Sequence, residues 1–289
     1  MIISRLTGGL GNQLFQYAFG RELAERHHTQ LKLDLSCFSN ERFNVPVRTY
    51  ALDIFNIKAE KATPDEIFRL SQRTRFDIPD RVLNRLLGVK KSHIREPHTN
   101  FSSAAFESPD NVYISGYWQS EKYFADVVPL LRQELTLKDP PAETARPILD
   151  RIESTNSIGV HVRRGDFLTN PTNGIHGVDY FKRAERILSE KFADRTYFVF
   201  SDDLDWCQGN LAFDGPTIFV TEDFGENKLR DDFRLMASCK NFIIPNSSFS
   251  WWAAWLAPNP DKTVIAPRRW LADASMDTSD VVPRDWVRV

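Results

Sequence analysis

The stretch Ser157–Phe167, SIGVHVRRGDF, ends an apolar run with His161, Arg163, Arg164 and Asp166. In an extended strand alternate residues share a face, so His161 and Arg163 point one way and Arg164 the other. A guanidinium is permanently charged, and its planar fork matches the oxygens of a phosphate. One arginine can therefore hold a phosphate while its neighbour pairs with an acid. Structural ion pairs, with Asp166 capping a turn, would use the same residues. The turn GGLGNQ (8–13) lies between a strand and a helix, where backbone N–H groups and the helix amino terminus favour an anion. Leu14 stands where a dinucleotide-binding G-x-G-x-x-G would have its last glycine, and the lysine of a phosphate-binding P-loop is missing.

Further along, SDDLD (201–205) contains a D-x-D, Asp203 and Asp205. That spacing can hold Mg²⁺ or Mn²⁺ beneath a nucleotide diphosphate, or simply cap a helix. In IIPNSSFSWWAAWLA (243–257) a strand runs into Asn246-Ser247-Ser248, which opens a helix in another anion-receiving geometry. Trp251, Trp252 and Trp255 follow. Their rings could stack on sugar faces, but a tryptophan cluster on a helix reads first as core.

Positioning these groups requires alternating elements. Met1–Leu6 reads as a strand, QLFQYAFGRELAERHH as an amphipathic helix and TQLKLDLS as a second strand, the opening of a doubly wound α/β domain. Asp34 ends that second strand, where such a fold keeps a ribose-binding acid, so a nicotinamide dehydrogenase is one reading. Between Arg42 and Glu107 the pattern blurs, apart from helices over TPDEIFRLSQRTRF, with Thr63 as cap and Pro64 first, and over RVLNRLLG. NVYISGYWQS reads as a strand and SEKYFADVVPLLRQELTL as one helix. The proline-rich KDPPAETARP (138–147) reads as a linker. Strand–helix alternation then restarts: SIGVHVR and TYFVFSDD as strands around the helix GVDYFKRAERILSEKF, then the strand PTIFVTE, the helix NKLRDDFRLMASC, the strand KNFIIPN and KTVIAP as a last strand.

Composition narrows the function classes. The 289 residues carry 37 Lys+Arg against 39 Asp+Glu, a net charge of −2, so no general basic field is available for nucleic acid. Any anion must be held locally. Three scattered cysteines, Cys37, Cys207 and Cys239, argue against a disulfide framework or zinc ribbon and for a reducing compartment. No stretch approaches the ~20 apolar residues of a spanning helix. The amino terminus does not read as a signal peptide, so a cytoplasmic protein is expected.

Taken in order and spacing, GGLGNQLFQYA, GYWQSEKYF, GVHVRRGDF, YFVFSDDLDWC and DDFRLMASCKNFIIPNSSFSWWAAWL resemble the bacterial α-1,2-fucosyltransferases of glycosyltransferase family 11, from residue 1 to roughly residue 270. The resemblance implies an α/β, GT-B-type fold of two Rossmann-like domains facing a central cleft. Residues 1–140 would form the acceptor side, residues 150–289 the GDP-fucose-binding side, and 138–147 the link. It also implies inverting transfer from GDP-β-L-fucose to the 2-hydroxyl of a galactoside in a glycan, with no metal or other cofactor. Arg163 would hold the β-phosphate together with Ser248, beside Ser247. His161 would lie near the guanosine, Asp232 would open its helix and read guanine, and Gly11 and Asn12 would face the pyrophosphate. Tyr117, Trp118 and Gln119 are expected to meet the acceptor. Asp166 and Asp34 are the acids considered as base. Animal members carry an amino-terminal membrane anchor that this sequence does not show; a peripheral place at the inner membrane is compatible with it. Besides the dehydrogenase, the aromatic content leaves a non-enzymatic sugar-binding module as a third reading.

Overall fold

The computed structural model describes residues 1–38, 48–71, 92–169 and 174–289. The chain forms two compact units, Met1–Thr136 and Leu137–Val289. The helix expected over RVLNRLLG lies outside the described residues.

In the first unit the strands are β1 (Ile2–Arg5), β2 (Leu31–Asp34), β3 (Glu60–Lys61), β4 (His93–Arg95) and β5 (Val112–Ser115). They form one sheet in the order β3-β2-β1-β5-β4, with every pairing parallel. Helix α1 (Leu10–Arg26) starts inside the glycine motif, so Gly11 and Asn12 belong to its first turn and not to a preceding loop. Helix α2 (Pro64–Ser71) opens with a capping box: Glu66 N–H donates to Thr63 Oγ1 at 3.3 Å and Thr63 N–H to Glu66 Oε2 at 2.9 Å. The single helix expected over SEKYFADVVPLLRQELTL is broken. A 3₁₀ segment at Glu121–Val127 contains the non-helical Phe124, and α3 (Val128–Glu134) starts afresh. Pro129 explains the restart, since a proline without N–H is favoured in the first turn.

In the second unit β6 (Ser157–Val162), β7 (Thr196–Ser201), β8 (Thr217–Phe219), β9 (Asn241–Ile243), β10 (Val264–Ala266) and β11 (Val287–Arg288) form the order β8-β7-β6-β9-β10-β11, again parallel throughout. Counted from the start of the unit this is 3-2-1-4-5-6, the doubly wound dinucleotide-fold order. Its helices are α4 (Arg146–Ser154), α5 (Val178–Lys191), α6 (Leu204–Asn210), α7 (Lys228–Ala237) and α8 (Ser248–Leu256). The segment 138–147 falls within this unit, and its last two residues open α4. Strands β3, β4 and β11, with two or three residues each, are too short to show alternation in the sequence.

Strand β6 is buried over its whole length. Ile158, Val160 and Val162 pack with Tyr180, Phe181 and Leu188 of α5 in one core cluster. Each such fully buried side chain contributes about 1.5–3 kcal/mol relative to exposure. His161 belongs to the other face and meets Ser250 and Phe249 of α8. Burial stops at Val162, and the two arginines follow where the sheet ends.

Candidate active site

In open parallel sheets, ligands bind beyond the carboxyl ends of the strands, at the point where strand order reverses. In the second unit that point lies between β6 and β9, and the sequence delivers His161 near the end of β6, Arg163–Asp166 just after it, and Asn246–Ser248 after β9.

Arg163 is about a quarter exposed and clasped from two sides. Its Nε and Nη2 donate to Asp166 Oδ1 at 2.9 and 2.8 Å, and its Nη1 lies 3.1 Å from Asp202 Oδ2. Asp202 also accepts the Arg164 backbone N–H at 2.8 Å. Gly165 makes this approach feasible: a Cβ there would lie 2.7 Å from Asp202 Oδ2. Arg164 points elsewhere, as strand alternation requires. Its Nε donates to Asp203 Oδ2 at 2.9 Å and its guanidinium lies 4.0 Å from the centre of the Trp206 ring. Asp203 is also the N-cap of α6, accepting Trp206 N–H at 3.2 Å. The D-x-D is thus a helix cap and an ion pair, with Asp205 exposed in the first turn. Among the described residues no group of three or more His, Cys, Asp and Glu is arranged to hold a metal ion.

His161 is buried, with Nδ1 2.9 Å from Ser250 Oγ. Ser250 Oγ donates its single proton to Ser247 O at 3.2 Å, so the histidine must donate from Nδ1, which leaves Nε2 as the acceptor. Burial, reinforced by the Arg163 charge, lowers its pKa to about 3, and the ring is neutral at physiological pH. Ser247 is the N-cap of α8 but its side chain makes no capping bond, and Ser248 is the first helical residue. The amino terminus of α8, the positive end of its helix dipole, therefore lies beyond β9.

Asp232 does not open its helix. Helix α7 begins at Lys228 with Asn227 as N-cap, which places Asp232 in the second turn. Its carboxylate is a quarter exposed and lies 3.0 Å from Lys228 Nζ; burial raises its pKa against the pull of that lysine. Its neighbour Asp231 is fully buried, 3.3 Å from Arg230 Nη2 and accepting Ala142 N–H at 3.3 Å. Of the two adjacent acids, only Asp232 offers its carboxylate outward.

In the first unit strand order reverses beside β1, and the turns following β1 and β5 carry the polar groups. Asn12 N–H closes back onto Gly9 O at 3.0 Å, so what Asn12 presents is its side chain, whose Oδ1 accepts Gln119 Nε2 at 2.8 Å. The amides of Gln13 and Gln16, both fully buried, staple this region. Gln13 donates to Gly8 O and Thr49 O and accepts Ala51 N–H, each at 2.9 Å. Gln16 donates to Gly116 O at 3.0 Å and accepts Thr7 N–H at 2.9 Å. Tyr117 is 51% exposed. Trp118, expected at the acceptor, is instead fully buried against Phe19 and Tyr123, with centroids 4.4 and 5.2 Å away. Trp118 also has a φ of +56°, a left-handed conformation that costs a non-glycine residue about 1–3 kcal/mol. Its Nε1 finds no acceptor among the described residues. Asp34 is fully buried, accepting Tyr113 Oη–H at 2.6 Å and Ser36 N–H at 2.8 Å. It is a structural acid, which removes the ribose contact on which the dehydrogenase reading rests and equally its candidacy as base.

The sequence profile described as Glycosyl transferase family 11 matches residues 1–289. The chain belongs to that family. It is 33% identical to an Escherichia coli alpha-1,2-colitosyltransferase over 100% of this chain and 99% of the relative. It is 31% identical to the Escherichia coli O-antigen biosynthesis glycosyltransferase WbnK over 93% and 94% of the two chains. Among solved structures, a mutant of Arabidopsis thaliana FUT1 in complex with GDP superposes with a TM-score of 0.50, at 12% identity, over 91% of this chain and 69% of that one. The fold is of the GT-B type, with two parallel α/β sheets.

In this family 11 glycosyltransferase, Arg163, His161, Ser247 and Ser248 lie at the carboxyl ends of β6 and β9, and Gly11, Asn12 and Gln119 lie in the segments that follow β1 and β5. Pattern reading did not single out Asp202, which clasps Arg163, Ser250, which bonds His161, Gln13 and Gln16, which staple the turns of the first unit, or Glu96, which accepts Tyr117 and Trp118 N–H. Asp202 lies inside the SDD run, but pattern reading passed over it for the D-x-D of Asp203 and Asp205. Among the described residues no helix is long and apolar enough to cross a membrane.

Proposed function

We propose that this family 11 enzyme transfers L-fucose from GDP-β-L-fucose to the 2-hydroxyl of a galactoside, with inversion to an α-1,2 linkage and without a metal. The observation that supports this most is Arg163, a guanidinium held by Asp166 and Asp202 at the strand-order reversal of the second unit, where the amino terminus of α8 also opens. Departure of GDP builds negative charge on the β-phosphate while the sugar becomes oxocarbenium-like, as in glycoside cleavage. A cation and helix-terminal N–H groups already in place stabilise that charge without reorganising. Arg163, Ser247 and Ser248 take the phosphates, neutral His161 lies on the nucleoside side, and outward-facing Asp232 accepts the N1–H and amine of guanine. In the first unit Asn12 is paired with Gln119, and Tyr117 and Gln119 handle the acceptor. The Asp166 oxygen nearest Arg163 is already bonded to it, so Asp166 orients the guanidinium and is not assigned the role of base.

A colitosyl donor is the second reading, favoured by the 33% identical colitosyltransferase. Colitose lacks the 3-hydroxyl that fucose carries, so the two donors test one contact. Incubation with GDP-fucose or GDP-colitose and a panel of galactosides, with linkage determined by NMR and EDTA in parallel, decides between them. An α-1,2-fucosyl product formed equally in EDTA is expected. Transfer only from GDP-colitose replaces the donor. Activity lost in EDTA and restored by Mn²⁺ overturns the metal-free mechanism and returns Asp203 and Asp205 as ligands.

A further inference from the structure

Resting on the reading that the first unit handles the acceptor, we propose that Glu96 is a positioning residue: it holds the Tyr117–Trp118 turn in shape so that the Tyr117 ring forms a stacking subsite for the acceptor sugar. Glu96 directly follows β4, and Pro97 keeps its backbone extended. Both carboxylate oxygens are directed at main chain: Oε2 accepts Tyr117 N–H at 2.6 Å and Oε1 accepts Trp118 N–H at 2.9 Å. These are charge-assisted bonds to the two amides of a turn whose second residue is left-handed. A side chain on Gly116 would put its Cβ 2.4 Å from Glu96 Cβ, so only glycine lets the acid come this close.

Two departures from local preference coincide at Trp118, the left-handed backbone and the buried indole N–H with no acceptor among the described residues. Such departures persist only where the surroundings over-determine the conformation, and they concentrate at functional sites. What the turn gains is at Tyr117. Its ring stands exposed while its flanks are fixed, Gly116 O by Gln16 Nε2 at 3.0 Å and Gln119 Nε2 by Asn12 Oδ1 at 2.8 Å. A rigidly based aromatic face beside side-chain amides suits a pyranose, whose C–H face stacks while its hydroxyls hydrogen-bond. Burial raises the Glu96 pKa, and its two amide bonds oppose that shift, so the charge that grips the turn is kept by the grip itself.

Glu96→Gln keeps the volume but sets an amide NH₂ against one of the two N–H groups. The acceptor KM of E96Q should rise roughly tenfold, the loss of about one hydrogen bond to a charged group, with the GDP-sugar KM and the melting shift produced by GDP unchanged. Tyr117→Ala should raise the acceptor KM comparably, while Tyr117→Phe, which keeps the ring, should stay near normal. Because Glu96 acts through Tyr117, adding E96Q to Y117A should change the acceptor KM less than about twofold. Additive effects, or donor and acceptor KM rising together, overturn the proposal. Titrating galactosides against the Tyr117 ring resonances, and following amide exchange at Tyr117 and Trp118, needs no turnover. Those measurements therefore decide the subsite even if no GDP-sugar is transferred. Faster exchange in E96Q with unaltered galactoside binding would leave Glu96 a purely structural acid and sink the idea.

Discussion

Beyond β6 and β9, Arg163 and Arg164 interlock with Asp166, Asp202 and Asp203, whereas beyond β1 and β5 the side chains of Asn12, Gln13, Gln16 and Gln119 hold the turns through neutral amides. Both clusters occupy the same topological place in a parallel sheet, so topology alone does not explain the difference. The proposed roles account for it: a site meant for a departing pyrophosphate needs fixed positive charge, and fixed charge near the sheet needs counter-acids to hold it in place. A site that meets a hydroxyl-rich acceptor needs shape and paired amides, and a free ion there would have no partner on a neutral sugar. Glu96 conforms to this division, because its charge faces two backbone N–H groups and not the surface.

The strongest way to break the contrast is Arg163→Lys. Lysine keeps the charge but loses the fork shared between Asp166, Asp202 and a phosphate, so kcat should fall on the order of 10²–10³-fold with little change in Tm. Near-normal turnover would make the arginine a structural ion-pair member, like Arg164. Next comes Asp232→Asn. Asn227 is the cap of α7, so asparagine at 232 leaves helix capping intact and loses, besides recognition, only the partly exposed pair with Lys228. The donor KM should rise roughly 10- to 100-fold and selectivity for GDP over other nucleoside diphosphates should relax. GDP binding that is unchanged by isothermal titration would release Asp232 from the site. In the first unit, Gln16→Ala strands the half-buried Thr7 N–H and Gly116 O and empties a buried side-chain position, which should cost about 1–3 kcal/mol in denaturant unfolding and leave the donor KM as it was. A loss of GDP affinity instead would show that the two clusters do not divide the work as drawn.

A further contrast is one of pH. Below about 6.5 the unfolded chain protonates His161, while the folded chain, with a pKa near 3, keeps it neutral. The unfolded state then binds more protons, so stability falls as pH drops from 6.5 toward 3, by at most about 1.4 kcal/mol per pH unit for this group. His176, lowered by burial to about 4, adds to the slope above that value. His161→Asn should flatten the curve of Tm against pH between 7 and 4.5. An unchanged slope would mean that His161 is protonated in the folded protein.

Motifs led to carboxyl ends of strands because a glycine turn, an arginine pair and a serine pair each carry their chemistry in their own side chains and backbone. They misplaced Trp118, because whether an aromatic ring beside an exposed tyrosine turns outward or inward depends on φ at one residue, and the left-handed value is held by Glu96, twenty-two positions away. The resemblance put Asp232 at a helix start, although the helical pattern NKLRDDFRLMASC already begins before it; the Lys228–Asp231 turn, with buried Asp231 bonded to Arg230 and the Ala142 amide, opens the helix.

By itself, then, the amino-acid sequence determined the alternation that makes two parallel sheets, the family, and the charged and glycine-rich groups delivered to strand ends, since these depend on local periodicity and on residue type. Only the tertiary structure decided which arginine is clasped by Asp166 and Asp202 and which is absorbed by a helix cap, which of two adjacent aspartates faces outward, and which ring of the Tyr117–Trp118 pair is left in water. Each of those outcomes rests on a partner remote in sequence, Asp202 and Asp203 for the arginines, Ala142 for Asp231, Glu96 for the turn. A carboxylate's reach across a fold is set by packing, and no spacing along the chain encodes it.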